Sequence, residues 1–316
     1  LAYPATSFWK KLSSLWRVWG ITSQLEKEGI ELFHGLSNEL PLNIHKSRIK
    51  SIVTIHDLIF LRYPQYYQSI DRKIYTYKFR KACENADKII AISECTKRDI
   101  IRYFNIPDDK IEVVYQGCDV SFTHPVTEEK KEEVRKKYQL PDHYILNVGS
   151  IEERKNILAA VQALPMLPQH IHIVIVGRRT GYTEKVEQFI KDNGLGERVH
   201  IISNVPFNDL PAFYQSAEIF VYPSRFEGFG IPIIEALYSG TPVVAATGSC
   251  LEEAGGPDSI YVNPDDITGL ADAFKQIYSN SDKRKNMVEK GREFAKRFSE
   301  KQQSEEIINI YKKLIR

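Results

Sequence analysis

The chain has 316 residues, 42% apolar and 27% charged, which excludes a disordered, collagen-like or low-complexity protein and suits about two domains of roughly 150 residues. Lys and Arg number 43 against 41 Asp and Glu, and a net charge of +2 is too balanced to suggest a nucleic-acid binder. No apolar run reaches the roughly 18 residues that span a bilayer, and no signal-peptide pattern is present. Cys83, Cys95, Cys118 and Cys250 are spaced for neither a zinc site nor a redox pair, and read as reduced thiols of a cytosolic protein.

In the first part of the chain the spacing predicts strands over 51–55, 88–92 and 111–114, with helices over 71–85 and 96–104 between them. A boundary fits between Asp119 and Pro141, where the mixed-sign run from Lys130 to Lys137 reads as a solvated helix face. From residue 144 the rhythm is regular: strands over 144–148, 171–176, 199–202, 219–222, 243–246 and 260–262, with helices over 156–164, 183–193, 208–216 and 232–239. Crossovers of that length permit parallel pairing, and nearly continuous apolar strands suit sheets covered on both faces, so two doubly wound α/β units stand in tandem. In open α/β sheets ligands bind beyond the carboxyl ends of the strands. The segments 56–57, 149–156, 203–206 and 224–232 hold that address.

The most informative stretch is Pro223-Ser-Arg-Phe-Glu-Gly-Phe-Gly-Ile-Pro-Ile-Ile-Glu235-Ala. It is a strand end, a loop with two glycines, and a helix with Pro232 in its first turn, where a missing N–H costs nothing. Glycine lets backbone amides approach a ligand closely and a helix start favours an anion, so a phosphate or diphosphate suits this loop. Glu227 in the loop and Glu235 about one turn into the helix can point into one cleft; the plainer reading is a turn with two solvated carboxylates. A hydrolase using them as acid and base is a rival. Helical spacing between them spans roughly 12 Å, which exceeds the separation of roughly 5–9.5 Å such pairs need. In Asn147-Val-Gly-Ser-Ile-Glu-Glu-Arg-Lys155-Asn, the cations Arg154 and Lys155 follow a strand end and can hold a leaving group with two phosphates, although a surface pair is the plainer reading. No Asp-x-Asp motif occurs, so a metal-independent donor site built from cations and a helix start is the consistent alternative to a metal site.

These residues resemble glycosyltransferase family four: Glu227 and Glu235 within Glu-Gly-Phe-Gly-Ile-Pro and Glu-Ala, Val148-Gly149 followed by Arg154-Lys155-Asn156, His56-Asp57-Leu58, Ala91-Ile92-Ser93, and Tyr115-Gln-Gly-Cys-Asp119. The resemblance covers nearly the whole chain, is most specific over 144–256, and looks most like the mannosyltransferase-like branch. It implies a GT-B fold, two Rossmann-like doubly wound domains facing a cleft. Residues 1–140 would form the acceptor-side domain and 141–299 the donor-binding domain, with a C-terminal helix over 300–316 packing back on the first. It implies retaining transfer of a hexose, mannose first, from a nucleoside diphosphate sugar such as GDP-mannose to a glycan or lipid-linked glycan. The setting implied is polysaccharide or lipopolysaccharide assembly, without a metal or a cofactor beyond the donor.

Carried over by position, Glu227 contacts the donor sugar's hydroxyls and Glu235 the nucleotide's ribose. Arg154 and Lys155 hold the departing diphosphate with the loop Gly228-Phe229-Gly230-Ile231, whose N–H groups from Phe229 to Ile231 assist. His56 reaches the reacting centre and Val205 lines the nucleobase. Three departures stand out: Ser150 where many relatives carry Arg, Asn204 where Gly is frequent, and no opening strand with a glycine-rich loop before Ser51. With Leu1 at the start, an N-terminally truncated chain is expected, and a catalytically impaired nucleotide-sugar-binding fragment is the alternative to an active transferase. A GT-B-like sugar-nucleotide epimerase is a further rival, which Glu227 and Glu235 within their motif oppose.

Smaller signals remain. Trp9, Leu12, Trp16 and Trp19 share a helical face beside basic residues, either packing or a membrane-surface patch for a protein peripheral to the inner face of the membrane. His170 and His172 share one strand face without an evident third ligand, and read as structural. Tyr63, Tyr66, Tyr67, Tyr75 and Tyr77 with Arg72, Lys73 and Lys78 read as helix packing, with Tyr63–Tyr67 near enough to His56 in sequence to touch an acceptor.

Overall fold

The computed structural model describes residues 15–315, so Trp9 and Leu12 lie outside the described residues. The chain divides into two compact units, one running to Tyr115 and taking in the tail from Gln303, the other comprising Gln116–Gln302. Each is a parallel α/β sheet with helices between strands.

In the first unit β1 (Leu32–Gly35), β2 (Lys50–Ile55), β3 (Lys88–Ala91) and β4 (Ile111–Val113) lie side by side in that order. A strand that the pattern did not show precedes Ser51, with no glycine-rich loop after it (Leu36-Ser-Asn-Glu39 follows): β1 pairs with β2 from Leu32 opposite Lys50 to Gly35 opposite Val53. Its four residues are too short and too mixed, with His34 and Gly35 among them, to show a strand period. Ile52, Ile90 and Val114 pack against Ile310 of the terminal helix Glu300–Ile315. The same helix is tied by its Tyr311 hydroxyl, 2.6 Å from Nδ1 of His34, whose Nε2 meets Thr54 Oγ1 at 2.8 Å. Trp16 is buried while Trp19 is exposed, so these two do not share one environment.

The boundary falls between Tyr115 and Gln116 rather than at 140/141. The reason is the helix Glu128–Tyr138, which is anchored to the second unit by one buried carboxylate, Asp209. Lys130 and Lys137 reach Asp209 at 2.9 and 2.8 Å, and the Tyr138 hydroxyl donates to it at 2.8 Å. Burial pushes this carboxyl up, but the two ammonium groups and the phenol outweigh it and hold the pKa at about 2. The charge run is therefore more than a solvated face, because two of its lysines are spent on this anchor.

The second unit contains β5 (Tyr144–Val148), β6 (His172–Val176), β7 (Val199–Ile202), β8 (Ile219–Tyr222), β9 (Val243–Ala246) and β10 (Ile260–Val262) in the order β10-β9-β8-β5-β6-β7. The strand order reverses between β5 and β8, which makes that crevice the topological switch point. Ile145, Ile173, Ile175, Val221 and Val244 fill the core with helix residues Ala160, Val161, Leu270 and Phe274.

Arg198, only 7% exposed, holds the lower end of this core. Its guanidinium donates to the carbonyls of Ile171 at 3.0 and 3.1 Å, Pro168 at 2.9 Å, Leu164 at 3.2 Å and Leu167 at 3.4 Å, and to Gln169 Oε1 at 3.4 Å. His172 and His200 stack with ring nitrogens 3.0 Å apart, while His170 packs edge-on to His143. Among the described residues, no three His, Cys, Asp or Glu side chains gather as metal ligands. The four cysteines are free and buried.

Candidate active site

The site is built on the switch point. Beyond the end of β5 the chain turns at Gly149, whose φ of 152° suits glycine, and a Cβ there would stand 3.3 Å from Nζ of Lys155. Next to it Gly177, beyond β6, comes so close that an added Cβ would lie 1.8 Å from the Gly149 carbonyl oxygen. A single 3-10 turn, Glu153–Lys155, then delivers Arg154 and Lys155. It is closed by Asn156 in the left-handed region, φ 55°, where Asn is one of the few residues readily tolerated. The Asn156 amide donates to Pro223 O at 3.2 Å and Pro264 O at 2.8 Å, clamping this turn to the end of β8.

From β8 comes the carboxylate. Glu227 is 12% exposed and receives Nη1 of Arg154 at 2.9 Å on one oxygen; Nζ of Lys155 lies 3.3 Å from the other. That second oxygen also accepts from the Ser224 hydroxyl at 2.8 Å and the Tyr222 hydroxyl at 3.2 Å. Arg154 further donates to the Phe226 carbonyl, and the Cys250 thiol donates to the Glu227 carbonyl at 3.0 Å. Burial pushes the Glu227 carboxyl up, yet Lys155, Arg154 and the Ser224 hydroxyl outweigh it and hold it below the ordinary carboxylate range. Glu152 lies 3.7 Å from the Arg154 guanidinium and is itself 3.8 Å from Arg178, so the ion-pair network holds Arg154, Lys155 and Arg178 against Glu227 and Glu152, one net positive charge at a strand end.

Beside it the helix Ile231–Ser239 begins at Gly230, where an added Cβ would stand 2.9 Å from Ala254 Cβ. Gly228, Phe229 and Gly230 are buried and Ile231 half-buried, so this loop is fixed rather than loose. Glu235, on the first full turn, is not solvated either: the Tyr214 hydroxyl donates to its Oε2 at 2.6 Å. Burial raises the Glu235 carboxyl, the Tyr214 hydrogen bond opposes, and the charge of Asp119 adds to the rise. The plainer reading, a turn with two solvated carboxylates, therefore does not hold for either glutamate.

The remaining expected positions lie on other segments. Val205 is half-buried between exposed Asn204 and Pro206 in the loop after β7, and Asn204 has a φ of 59°, which explains why Asn serves where Gly is frequent. Ser150 donates to Glu152 at 2.6 Å instead of supplying a cation. His56 lies in the first unit, where its backbone N–H donates to Asn38 Oδ1 at 2.8 Å and its Nε2 donates to the Leu36 carbonyl at 2.8 Å. Sequence reasoning missed Tyr214, Tyr222, Ser224 and Cys250. Only Tyr222 and Ser224 carried a signal, as neighbours of the strand-ending Pro223.

Residues 128–294 match the family model "Glycosyl transferases group 1", and residues 2–122 match "Glycosyltransferase Family 4". The chain belongs to the group 1 glycosyl transferases. It is 31% identical over 289 residues to the O-antigen chain mannosyltransferase B of Escherichia coli, covering 90% of this chain and 74% of that one. It is 29% identical over 225 residues to the O-antigen chain mannosyltransferase RfbU of Salmonella typhimurium, covering 71% of this chain and 60% of that protein. The crystal structure of Anabaena Alr3699/HepE in complex with UDP superposes with a TM-score of 0.81 at 18% identity over 93% of this chain and 81% of that one. The fold of this glycosyltransferase is accordingly GT-B, with two Rossmann-like parallel-sheet domains. Among the described residues, no helix is long and apolar enough to cross a membrane.

Proposed function

We propose that this glycosyltransferase moves a hexose, mannose first, from a nucleoside diphosphate sugar, GDP-mannose first, to a glycan or lipid-linked glycan, with retention and without a bound metal. The observation that carries the reading is the pair of cations Arg154 and Lys155 held by Glu227 at the switch point beside a helix start, in a network that with Glu152 and Arg178 holds one more positive than negative charge. A departing diphosphate gains negative charge as the glycosidic bond lengthens, and fixed cations with helix N–H groups stabilise that charge without reorganising. Glu227, ionised and anchored, accepts from the sugar's hydroxyls, and Glu235 accepts from the ribose. Val205 lines the base, and His56 keeps its role at the reacting centre from the resemblance alone. Mannosyltransferase relatives support the sugar.

Calorimetric titration with GDP, UDP, ADP and GDP-mannose, with and without EDTA, tests this reading. Selective binding of GDP and GDP-mannose, unchanged by EDTA, is the expected result. Binding or transfer abolished by EDTA refutes the metal-free mechanism, and selective UDP binding refutes the base.

We further propose that the first unit sits on an anionic membrane surface through the helix Ser69–Asn85. Ile70, Ile74 and Tyr77 on it are 68%, 46% and 55% exposed, and its Arg72, Lys73, Lys78, Arg80 and Lys81 outnumber Asp71 and Glu84. The chain should sediment with phosphatidylglycerol vesicles and not with phosphatidylcholine ones, and Ile70→Glu with Ile74→Glu should release it. Equal sedimentation of the double variant would refute the placement.

A further inference from the structure

Both glutamates of the site end on a tyrosine hydroxyl, and both tyrosines are buried. Tyr222, the last residue of β8, is 3% exposed; its hydroxyl accepts from Lys155 Nζ at 3.0 Å and donates to Glu227 Oε1 at 3.2 Å. It thus touches both the cation and the carboxylate, which also meet each other at 3.3 Å. Tyr214, on the helix Leu210–Ser216, is fully buried, and its hydroxyl donates to Glu235 Oε2 at 2.6 Å.

The rings are held in one aromatic row. Phe220 of β8 stands between them, its ring centroid 5.2 Å from Tyr214 and 5.9 Å from Tyr222, stacked on the latter at 20°. Phe122 meets Tyr214 edge-on at 5.5 Å, and the Thr241 hydroxyl donates to the Tyr214 carbonyl at 2.6 Å. Such rings have no freedom to swing, so each hydroxyl is a fixed donor aimed at one carboxylate. A buried phenol needs a partner in any protein. Here the two phenols of one row take as partners the two carboxylates on which the donor reading rests.

We propose that Tyr222 and Tyr214 are the positioning residues of this glycosyltransferase: Tyr222 fixes Glu227 and Lys155 for the transfer step, and Tyr214 fixes Glu235 for the nucleotide. The inference rests on the donor-site reading above. It divides the labour of the row. Loss of the Tyr222 hydroxyl removes one of the contacts that orient Glu227 and Lys155, beside Arg154 and Ser224, and leaves the ribose end intact; loss of the Tyr214 hydroxyl does the reverse.

The test uses Tyr222→Phe and Tyr214→Phe in the full chain, since phenylalanine keeps the stacked ring and removes only the oxygen. Turnover is read as GDP release from GDP-mannose, and affinity by titration with GDP. Tyr222→Phe should lower kcat about 10- to 100-fold, the worth of one hydrogen bond to a charged group, with less than about a threefold change in KM or GDP affinity. Tyr214→Phe should weaken GDP binding about 10-fold and leave kcat at saturation nearly unchanged. Its pH profile should move as well. Burial already raises the Glu235 carboxyl and the Tyr214 hydroxyl opposes that rise, so the acid limb of GDP binding should shift to higher pH in the variant. A merely structural role would lower thermal stability without splitting kcat from KM and without moving the acid limb.

Glu227→Gln and Glu235→Gln separate the two layers of the argument. If Glu235→Gln leaves GDP affinity intact and Glu227→Gln leaves turnover intact, the donor-site reading falls and the positioning roles with it. If the glutamine variants show their losses while both phenylalanine variants match the parent, the positioning roles alone are overturned. Should one phenylalanine variant fail to fold, the other still decides, because each has its own readout.

Discussion

Glu227→Gln should lower hexose transfer about 10²- to 10³-fold, the usual scale for removing one preorganised electrostatic contact at a reacting centre. Glutamine keeps the shape and the hydrogen-bonding reach towards Ser224, so the loss reports the charge. The same change should destabilise the unliganded chain by about 3 kcal/mol, because Lys155 loses its carboxylate and Arg154 keeps only Glu152 at 3.7 Å, the two cations being 17% and 13% exposed. On the proposed reading a bound diphosphate supplies negative charge at that place. Saturating GDP should therefore raise the thermal midpoint of the variant more than that of the parent, against an unliganded midpoint that is several degrees lower. Thermal scans of both proteins with and without GDP check this, and an unchanged midpoint together with unchanged transfer would dismiss the cluster as the centre of the site. On the proposed reading the ion pair is a waiting arrangement, in which Glu227 stands in for part of the charge that the substrate brings.

Arg198→Met should have the largest effect on stability, about 3–5 kcal/mol, because it removes the guanidinium bonds to the Ile171 and Leu167 carbonyls and one of the two donors to each of the Leu164 and Pro168 carbonyls, which keep Leu167 N and Ile171 N. Methionine has a similar length and fills the same space, so little of the loss comes from a cavity. Arg198→Lys should recover only a part, since one ammonium cannot reach Ile171, Pro168, Leu164 and Leu167 as the planar fork does. Urea titration of the three proteins gives the ranking. A lysine variant as stable as the parent would show that the charge, and not the fork, holds these carbonyls. Arg198 lies at the start of β7, away from the carboxyl ends of the strands, so GDP affinity should hold in any variant that remains folded.

The regular part of the chain was legible because its strands are short apolar runs closed by punctuation. Val243–Ala246 and Ile260–Val262 form as the pattern predicts, and the helix after Gly230 starts where Pro232 permits it. β1 was not legible. Four residues with a histidine and a glycine have no period of their own, and they become a strand because β2 offers a partner edge. The helix Ser281–Ala295 escaped for a related reason: Met287, Gly291 and Ala295 are its buried residues, a thin stripe in a charged sequence. The boundary was misplaced because no local feature announces Asp209, whose partners lie more than 70 positions earlier in the chain.

The candidate site divides in the same way. Residue type and spacing determined by themselves that Glu227, Glu235, Arg154 and Lys155 stand at strand ends and a helix start, since those properties are local and are set by glycine, proline and apolar runs. They also carried the family. What only the tertiary structure decided is the state of those groups: Glu227 ionised between two cations, Glu235 raised and hydrogen-bonded, and Tyr222 and Tyr214 holding them. The physical reason is that charge state depends on burial and on neighbours within a few ångströms. Those neighbours come together only where the order of the parallel strands reverses and sets the end of β5 beside the end of β8.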